Sequence, residues 1–226
     1  MPAADTVPGL RWLGHATVLL DGPPVVYIDP WRLEGRKGLP RADLVLVTHA
    51  HFDHAAPEST AWIAGPETVF AGPAEALALL SGGGERRALV AGDEIGAHGC
   101  RVRAFESRDE SCGFHPPETG LGFLVEGAGP VLLHLGDGTR WGSGSDAPPR
   151  FDPPPEVVAV AVGGAPWPDS DAAARAASAT GATHALPIHW GALQGSHHDA
   201  ARFRDALGCL APSMRTILRR IPERSR

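Results

Sequence analysis

The sequence predicts a mixed α/β protein built from short buried strands, with helices between and after them. Continuous apolar runs such as ADLVLVT (42–48) and EVVAVAV (156–162) recur along the chain, and such runs are typical of strands that are buried on both faces. Alanine-rich helical segments such as SDAAARAASATG (170–181) lie between the later runs. Strands interspersed with helices in this way indicate layers of sheet and helix around a common core.

The first third of the chain is predicted to be mostly strand. RWLGHATVLLDG (11–22) alternates apolar residues and closes on a DG turn signal. PPVVYIDP (23–30) is a short apolar run that ends at Asp-Pro, and ADLVLVT follows it. Helices are predicted to begin near Pro57 and Pro73, because proline fits the first turn of a helix.

The remaining elements continue this alternation of strands and helices. Further strands are predicted in TVFAG (68–72), RALVAGDEI (87–95), CRVRAFES (100–107), GLGFLVEG (120–127), PVLLHLGDG (130–138), THALPIHW (183–190) and RTILRRI (215–221). The segment 170–181 is predicted to be a helix with Ser170 or Asp171 as its N-cap and Gly181 at its end. HHDAARFRDALGCLAP (197–212) is predicted to be the last helix.

The composition is that of an ordinary soluble globular protein. The 226 residues are 43% hydrophobic and 20% charged, which is enough to form a substantial core. The formal net charge of −6 argues against nucleic acid as the main partner, since proteins that bind phosphate backbones usually carry a basic balance. No apolar run reaches the roughly 18 residues that a membrane span requires, so we expect neither a nucleic-acid nor a membrane partner.

We expect a single domain over residues 1–226. The segment WGSGSDAPPRFDPPPE (141–156) is rich in Pro, Gly and Ser, and we interpret it as a long loop because residues of the predicted site lie on both sides of it. The N-terminus lacks the charged and apolar regions of a signal peptide, and the three cysteines have no CxxC spacing. We therefore expect reduced thiols and a cytoplasmic protein, whereas the oligomeric state is left open.

The most specific signal in the chain is the heptapeptide THAHFDH (48–54). His49 and His51 leave a buried strand two residues apart, and extended residues two apart point to the same face, so both imidazoles can converge on one metal ion. Asp53 and His54 follow as the chain turns, and they can reach a second point a few ångströms away. Imidazole and carboxylate are usual ligands of zinc, and they also suit manganese or iron.

THAHFDH is similar to the HxHxDH motif of the metallo-β-lactamase-fold hydrolases. WLGHATVLL, VVYIDPW, GFHPPETGLGFLVE, VLLHLGDG and LPIHWG resemble other segments of that family in the same order. The resemblance spans about residues 10–221 and is to the branch that includes ascorbate-6-phosphate lactonase-like proteins and uncharacterised metal-dependent hydrolases. It implies a four-layer αββα sandwich of two mixed sheets with outer helices.

The resemblance also assigns metal ligands to positions at strand ends and in the loops after them: His49, His51, Asp53, His54, Asp137 and His189. His49, His51 and one further histidine would bind a first ion. Asp53, His54 and His189 would bind a second ion, and Asp137 would bridge the two. Asp53 and Asp137 are the residues expected to be catalytic, and Asp53 is also a candidate to relay a proton.

The further histidine that binds the first ion is expected to be His115, in the segment CGFHP. Many relatives have a histidine directly after a strand where this chain has the residues 106–108, which contain none. The FHP segment resembles one that members of this branch use. Cys112 lies three residues earlier and stays open as an alternative ligand for a soft metal.

Three further polar residues are expected beside the ions without binding them: Asp29, His15 and His134. Asp29 matches a family aspartate at a strand end, His15 lies in the LGHA segment, and His134 lies three residues before Asp137. A ligating histidine usually donates its other N–H group to an oriented partner. We therefore expect these three residues to support the ligands by hydrogen bonding.

The ligand set predicts a dinuclear metal-dependent hydrolase that uses two divalent ions, with zinc as the first choice. Two ions that share Asp137 would also share a water, and the bridging hydroxide would attack an ester, lactone, amide or phosphodiester of a small-molecule substrate. The chain has no GxSxG motif, which argues against a serine hydrolase. Two alternatives stay open: a mononuclear iron oxygenase of the same fold, and a non-catalytic metal-binding sensor or docking protein.

Overall fold

Two mixed β-sheets lie face to face in the computed structural model, which describes residues 6–108, 120–141, 148–163, 169–193 and 195–218. The strands of the first sheet are β1 (Leu10–Gly14), β2 (Thr17–Asp21), β3 (Val25–Ile28), β4 (Ala42–Leu46), β5 (Ala64–Gly72) and β6 (Glu85–Ala88). The strands of the second sheet are β7 (Glu94–Ala97), β8 (Cys100–Arg108), β9 (Leu121–Glu126), β10 (Leu132–His134), β11 (Arg140–Trp141), β12 (Val157–Ala161), β13 (His184–Ile188) and β14 (Arg215–Thr216). The helices are α1 (Pro57–Ile63), α2 (Ala74–Leu79), α3 (Ser170–Ala179) and α4 (His197–Leu210).

Each sheet combines antiparallel and parallel pairing. In the first sheet the strands follow the order β1 to β6, antiparallel as far as β3 and parallel from there on. In the second sheet the order is β11-β8-β9-β10-β12-β13-β14, and β7 pairs with β8. Pairing in this sheet is antiparallel as far as β10 and parallel from β10 to β14.

Side chains of the first sheet alternate between two hydrophobic cores. On β2, Val18 and Leu20 face the core between the sheets, whereas Leu19 faces helices α1 and α2. The same period of two appears on β4, where Leu44 belongs to the inner core and Val45 to the outer one. Because successive strand residues point to opposite faces, this arrangement confirms that the apolar runs form strands buried on both sides.

Helices cover the outer faces of both sheets. Ile63 of α1 and Leu77 of α2 are buried against the first sheet, and α3 and α4 pack against each other and against the second sheet. The four-layer αββα sandwich expected from the family resemblance is therefore confirmed. In the part of the chain described here, no helix combines the length and the apolar character needed to cross a membrane.

The predicted helices form, with differences at their ends. Helix α4 begins at a capping box in which Ser196 and Asp199 bond each other's backbone N–H groups. The N-cap of α3 is Asp169, which accepts a hydrogen bond from the backbone three residues on at 2.7 Å. The prediction of Ser170 or Asp171 was therefore wrong, because all three side chains are good N-cap acceptors and the chain uses the first of them.

The two described cysteines are expected to differ sharply in reactivity toward iodoacetamide. Cys100 is buried and Cys209 is exposed, and burial raises the pKa of the Cys100 thiol to about 11. Since the thiolate is the reactive form, folded protein at about pH 8 should be alkylated at Cys209 and protected at Cys100. Peptide mass spectrometry tests this, with urea-unfolded protein as the control. Equal alkylation of both residues in the folded protein would contradict the burial of Cys100.

Candidate metal centre

Polar side chains gather at one end of the sandwich, where strands of both sheets end. Asp29 follows β3 and the segment 49–54 follows β4, both in the first sheet. Asp137 follows β10 and His189 follows β13, both in the second sheet. Neighbouring parallel strands end at the same edge of a sheet, which is where open α/β sheets bind ligands. His15 joins them from the turn between β1 and β2.

His49, His51 and Asp137 form the first group of candidate ligands. Their ligand atoms lie within 4.8 Å of one another. His49 Nε2 lies 3.0 Å from His51 Nδ1 and 3.7 Å from Asp137 Oδ2. The two imidazoles therefore converge on one point, as their spacing of two residues predicts.

His15, Asp53, His54 and His189 form a second group, and all four are buried. Asp53 Oδ2 lies 2.8 Å from His15 Nε2 and 3.8 Å from His189 Nε2. The same oxygen lies 4.0 Å from His54 Nε2. This group combines residues of the first sheet with His189 of the second.

Asp137 lies between the two groups and faces each with a different oxygen. Its Oδ1 is 3.3 Å from His54 Nε2 and 3.4 Å from His189 Nε2. Its Oδ2 is the atom that faces His49 Nε2 in the first group. A single carboxylate therefore reaches both groups at once.

Asp29 orients two of the candidate ligands from behind. Its Oδ1 accepts the Thr48 backbone N–H at 2.8 Å, and its Oδ2 accepts both the Thr48 hydroxyl and His54 Nδ1–H at 2.8 Å. Since the Thr48 hydroxyl donates to Asp29, it accepts from His49 Nδ1–H at 2.9 Å. These bonds assign a proton to Nδ1 of both imidazoles and aim their Nε2 atoms at the site.

His134 connects the second sheet to the turn between β1 and β2. Its Nε2–H donates to the Ala16 carbonyl at 3.0 Å, and its Nδ1 accepts the Gly136 backbone N–H at 3.1 Å. Both ring nitrogens are thus used in structural hydrogen bonds. Burial, the largest influence, lowers the pKa of His134 below its usual value, which keeps the ring in the neutral form that this pattern requires. His134 thereby holds the loop that carries Asp137.

Three residues at the site have a left-handed backbone conformation that residues other than glycine rarely adopt. The φ angles are +52° for His15, +48° for Asp29 and +70° for His189. Each such residue costs on the order of 1–3 kcal/mol, and strain of this kind concentrates at functional sites. Three of the five non-glycine residues with such a backbone in the described part of the chain thus lie around this cluster.

Burial keeps two of the histidines neutral. It lowers the pKa of His189 to about 3. Together with the charge on His54, burial also holds the pKa of His49 well below its usual value. Both rings are therefore neutral at physiological pH, which is the form of imidazole that binds metals.

At Asp53 and His54 the neighbouring polar and charged groups outweigh the effect of burial on the pKa. Burial by itself would raise the pKa of Asp53, but the hydrogen bond from His15 and the charge on His54 outweigh it and keep the carboxylate ionised. Burial would lower the pKa of His54, but Asp137 and Asp29 outweigh it and raise that pKa well above its usual value. The centre is thus a buried set of carboxylates and imidazoles whose charges depend on one another.

This donor set fits divalent metal ions that accept nitrogen and oxygen ligands. Two ligands about 2.1 Å from a tetrahedral ion lie about 3.4 Å apart, and Asp137 Oδ1 lies 3.3 and 3.4 Å from the Nε2 atoms of His54 and His189. His54 Nε2 is buried and makes no hydrogen bond of good geometry within the described residues. An ion at this point would satisfy a buried nitrogen whose isolation is otherwise costly.

The structure brings together all of the expected ligands that lie in the described residues: His49, His51, Asp53, His54, Asp137 and His189. His115 and the alternative Cys112 lie outside the described residues. Asp29 and His134 contact the ligand loops, as expected of supporting residues. Sequence reasoning missed Thr48, whose position directly before the histidines was the available signal.

Comparison with known proteins identifies the family. Residues 9–189 match the family described as Beta-lactamase superfamily domain. A UPF0173 metal-dependent hydrolase from Methanoregula boonei is 32% identical over 203 residues, which cover 88% of this chain and 89% of the relative. The chain belongs to the metallo-β-lactamase-fold family of metal-dependent hydrolases. The family membership predicted from the HxHxDH motif is thereby confirmed.

Further members of the family agree with this assignment. A UPF0173 metal-dependent hydrolase from Methanosphaerula palustris is 30% identical over 210 residues, covering 88% of this chain and 90% of the relative. Among solved structures, Igni18, a metallo hydrolase from Ignicoccus hospitalis, superposes with a TM-score of 0.70 and covers 95% of both chains. At 18% identity this likeness shows the shared fold.

A cavity of about 550 Å³ adjoins the segment 49–54, lined in part by Trp31, Arg32, Phe52 and Glu58. Trp31 lines this cavity and also contacts the centre, since its ring centroid is 4.7 Å from that of the His15 ring. The guanidinium carbon of Arg32 lies 4.0 Å from the Trp31 centroid. Phe52 is 67% exposed although it lies within the motif. Trp31 is thus a residue shared by the cavity wall and the surroundings of the centre.

Proposed function

We propose that this chain is a dinuclear metallohydrolase. One observation carries the proposal: the two oxygens of Asp137 face different ligand groups, Oδ2 toward His49 and Oδ1 toward His54 and His189. A carboxylate in this position can hold two ions close together, as two-metal hydrolytic sites require. Membership of a family of metal-dependent hydrolases supports the same function.

The proposed ligands divide between two ions. His49, His51 and His115 bind the first ion, Asp53, His54 and His189 bind the second, and Asp137 is shared. We propose zinc for both positions because imidazole and carboxylate groups are its usual nitrogen and oxygen ligands. Manganese and iron accept the same ligands.

The proposed substrate is a small molecule with an ester, lactone, amide or phosphodiester bond. When bound, two divalent ions lower the pKa of a water that they share and stabilise negative charge on the oxygen of the attacked group. Asp53 would help to hold the second ion and would accept a proton from the attacking water. Trp31 and the cavity behind it are proposed to receive a part of the substrate remote from the bond that is cleaved, since the cavity has the size of small-ligand pockets.

The first test is the metal content of protein purified without a histidine tag or chelator, by inductively coupled plasma mass spectrometry. We expect about two equivalents of zinc or manganese per chain, and a lower content in His115→Ala. Hydrolysis of ester, lactone and phosphodiester panels should require these ions and should return when stripped protein is reloaded.

Other metal contents would favour the other functions. One equivalent of iron would contradict the dinuclear hydrolase and favour an oxygenase. Absence of bound metal, even after reconstitution with zinc and manganese, would contradict both enzymes.

A further inference from the structure

His15 is held in place by both sheets. It lies in the turn between β1 and β2, and its carbonyl accepts hydrogen bonds from the Trp12 indole at 2.8 Å and from the His189 backbone N–H at 2.9 Å. The residue is 2% exposed. Its ring contacts the rings of Trp31 and His189, with centroid distances of 4.7 and 3.9 Å. The position of this imidazole is therefore fixed before any ion binds.

The hydrogen-bond pattern assigns the proton of His15 to Nε2. That atom lies 2.8 Å from Asp53 Oδ2, whereas Nδ1 is buried and has no hydrogen-bond partner among the described residues. A neutral imidazole has one N–H group. On Nδ1 this group would be a buried donor without an acceptor, which is costly, whereas on Nε2 it donates to Asp53. In this arrangement Nε2 of His15 serves Asp53 as a hydrogen-bond donor.

We propose that His15 is a positioning residue that fixes Asp53 for the second metal ion, an inference that rests on the proposed dinuclear function. The carboxylate of an aspartate rotates broadly about its terminal torsion. The bond from His15 holds Asp53 Oδ2 on the side that faces His54 and His189. Without that bond, the second ion loses an aligned ligand while the ligands of the first ion are unchanged.

Two variants at one position isolate the hydrogen bond. In His15→Gln the side-chain amide can still donate to Asp53, whereas His15→Leu leaves Asp53 without this donor. Both replacements occupy the same left-handed backbone position, φ +52°, so the backbone strain is matched. His98→Leu is the control, because His98 also has a left-handed backbone, φ +48°, and is exposed in a turn between β7 and β8.

The measurement is titration of each metal-free protein with zinc against a chromophoric chelator, together with metal per chain after dialysis. We expect His15→Leu to bind one of the two ions about 10–100-fold more weakly, which is the usual effect of losing a partner of a ligand. His15→Gln should recover most of the affinity, and His98→Leu should match the wild type. Thermal unfolding of the metal-free proteins checks that each variant folds.

Each contrary result has a distinct meaning. Two ions bound by His15→Leu as tightly as by the wild type would overturn the role of His15 alone. A loss in His15→Gln equal to that in His15→Leu would overturn the hydrogen-bond assignment. Wild-type protein that binds no more than one ion would overturn the dinuclear function itself, and with it this proposal.

A measurement on the wild type does not depend on the folding of any variant. Nitrogen-15 NMR of the zinc-loaded protein distinguishes the two tautomers of each histidine. We expect His15 to carry its proton on Nε2. A proton on Nδ1 would overturn the proposal.

Discussion

Replacement of Asp137 by alanine is expected to abolish hydrolysis. Asp137 is the one described residue whose two carboxylate oxygens face both ligand groups, so its loss affects both ions at once. We expect activity to fall by at least about a thousandfold, equivalent to about 4 kcal/mol in the activation barrier. His49→Ala should act in the same direction through the first ion.

The measurement is kcat/KM on whichever ester, lactone or phosphodiester substrate the wild type hydrolyses, with metal content determined on the same samples. Asp171→Asn is the matched control, because Asp171 is exposed and forms an ion pair with Arg202 on the helical face of the second sheet. We expect the control to retain wild-type activity. Activity in the Asp137→Ala, His49→Ala double variant would refute hydrolysis at this centre.

Replacement of Asp29 by alanine is expected to be the most destabilising single change at the site. Asp29 is fully buried, and it accepts hydrogen bonds from the Thr48 backbone, the Thr48 hydroxyl and His54 Nδ1. Removal of the carboxylate leaves these donors buried without an acceptor. Breaking a buried charged pair in this way costs about 3–5 kcal/mol in the free energy of unfolding.

Urea unfolding of the metal-free proteins tests this expectation. Asp43→Ala is the comparison, since Asp43 accepts one backbone hydrogen bond from Val25 at 2.7 Å, and its loss should cost about 1 kcal/mol. Equal free energies of unfolding for the wild type and Asp29→Ala would contradict the buried network. The side chain introduced by Asp29→Asn has the same shape as that of aspartate, but its NH2 group would face His54 Nδ1–H, donor against donor. We therefore expect Asp29→Asn to weaken metal binding about 10–100-fold.

The candidate ligands nearest to strand ends were the part of the site that the local sequence pattern alone could predict, whereas the others were predicted through the family resemblance. His49 and His51 come directly after a run that is apolar enough to be recognised as a strand, and the two-residue period then fixes their common direction. His189 ends a strand of the same kind. In each case the signal is local, because it depends on the residues immediately before the ligand.

The contacts around His15 could not be predicted in this way. His15 and Asp53 lie 38 positions apart in the chain, and their contact depends on the left-handed backbone of the turn between β1 and β2. The same holds for the bond from His134 to the Ala16 carbonyl, which joins residues 118 positions apart. The alternation of residues along a strand predicts which face of the sheet each side chain occupies. It does not predict which strands of the other sheet lie opposite that face.

The closing strand shows a limit of a different kind. RTILRRI was predicted to be a strand over residues 215–221, of which 219–221 lie outside the described residues; in the described part, which ends at residue 218, β14 covers Arg215–Thr216. A strand at the edge of a sheet has one neighbour to pair with, here β13. Apolar composition predicts that such a segment is extended, whereas pairing also needs backbone N–H groups on the neighbouring strand, and Pro187 of β13 has none.

The candidate ligands come from both sheets, and this affects how the stability of the folded protein depends on metal. An ion held, as proposed, by residues as far apart as Asp53 and His189 would act as a removable cross-link that closes a loop of about 140 residues. An ion present at about 100 times its dissociation constant adds about 2.7 kcal/mol to the stability of the folded state. When metal is scarce this contribution is lost, and the two sheets separate more easily at the end that carries the candidate ligands. The amount of intact protein, as well as its turnover, would follow the supply of metal in its surroundings.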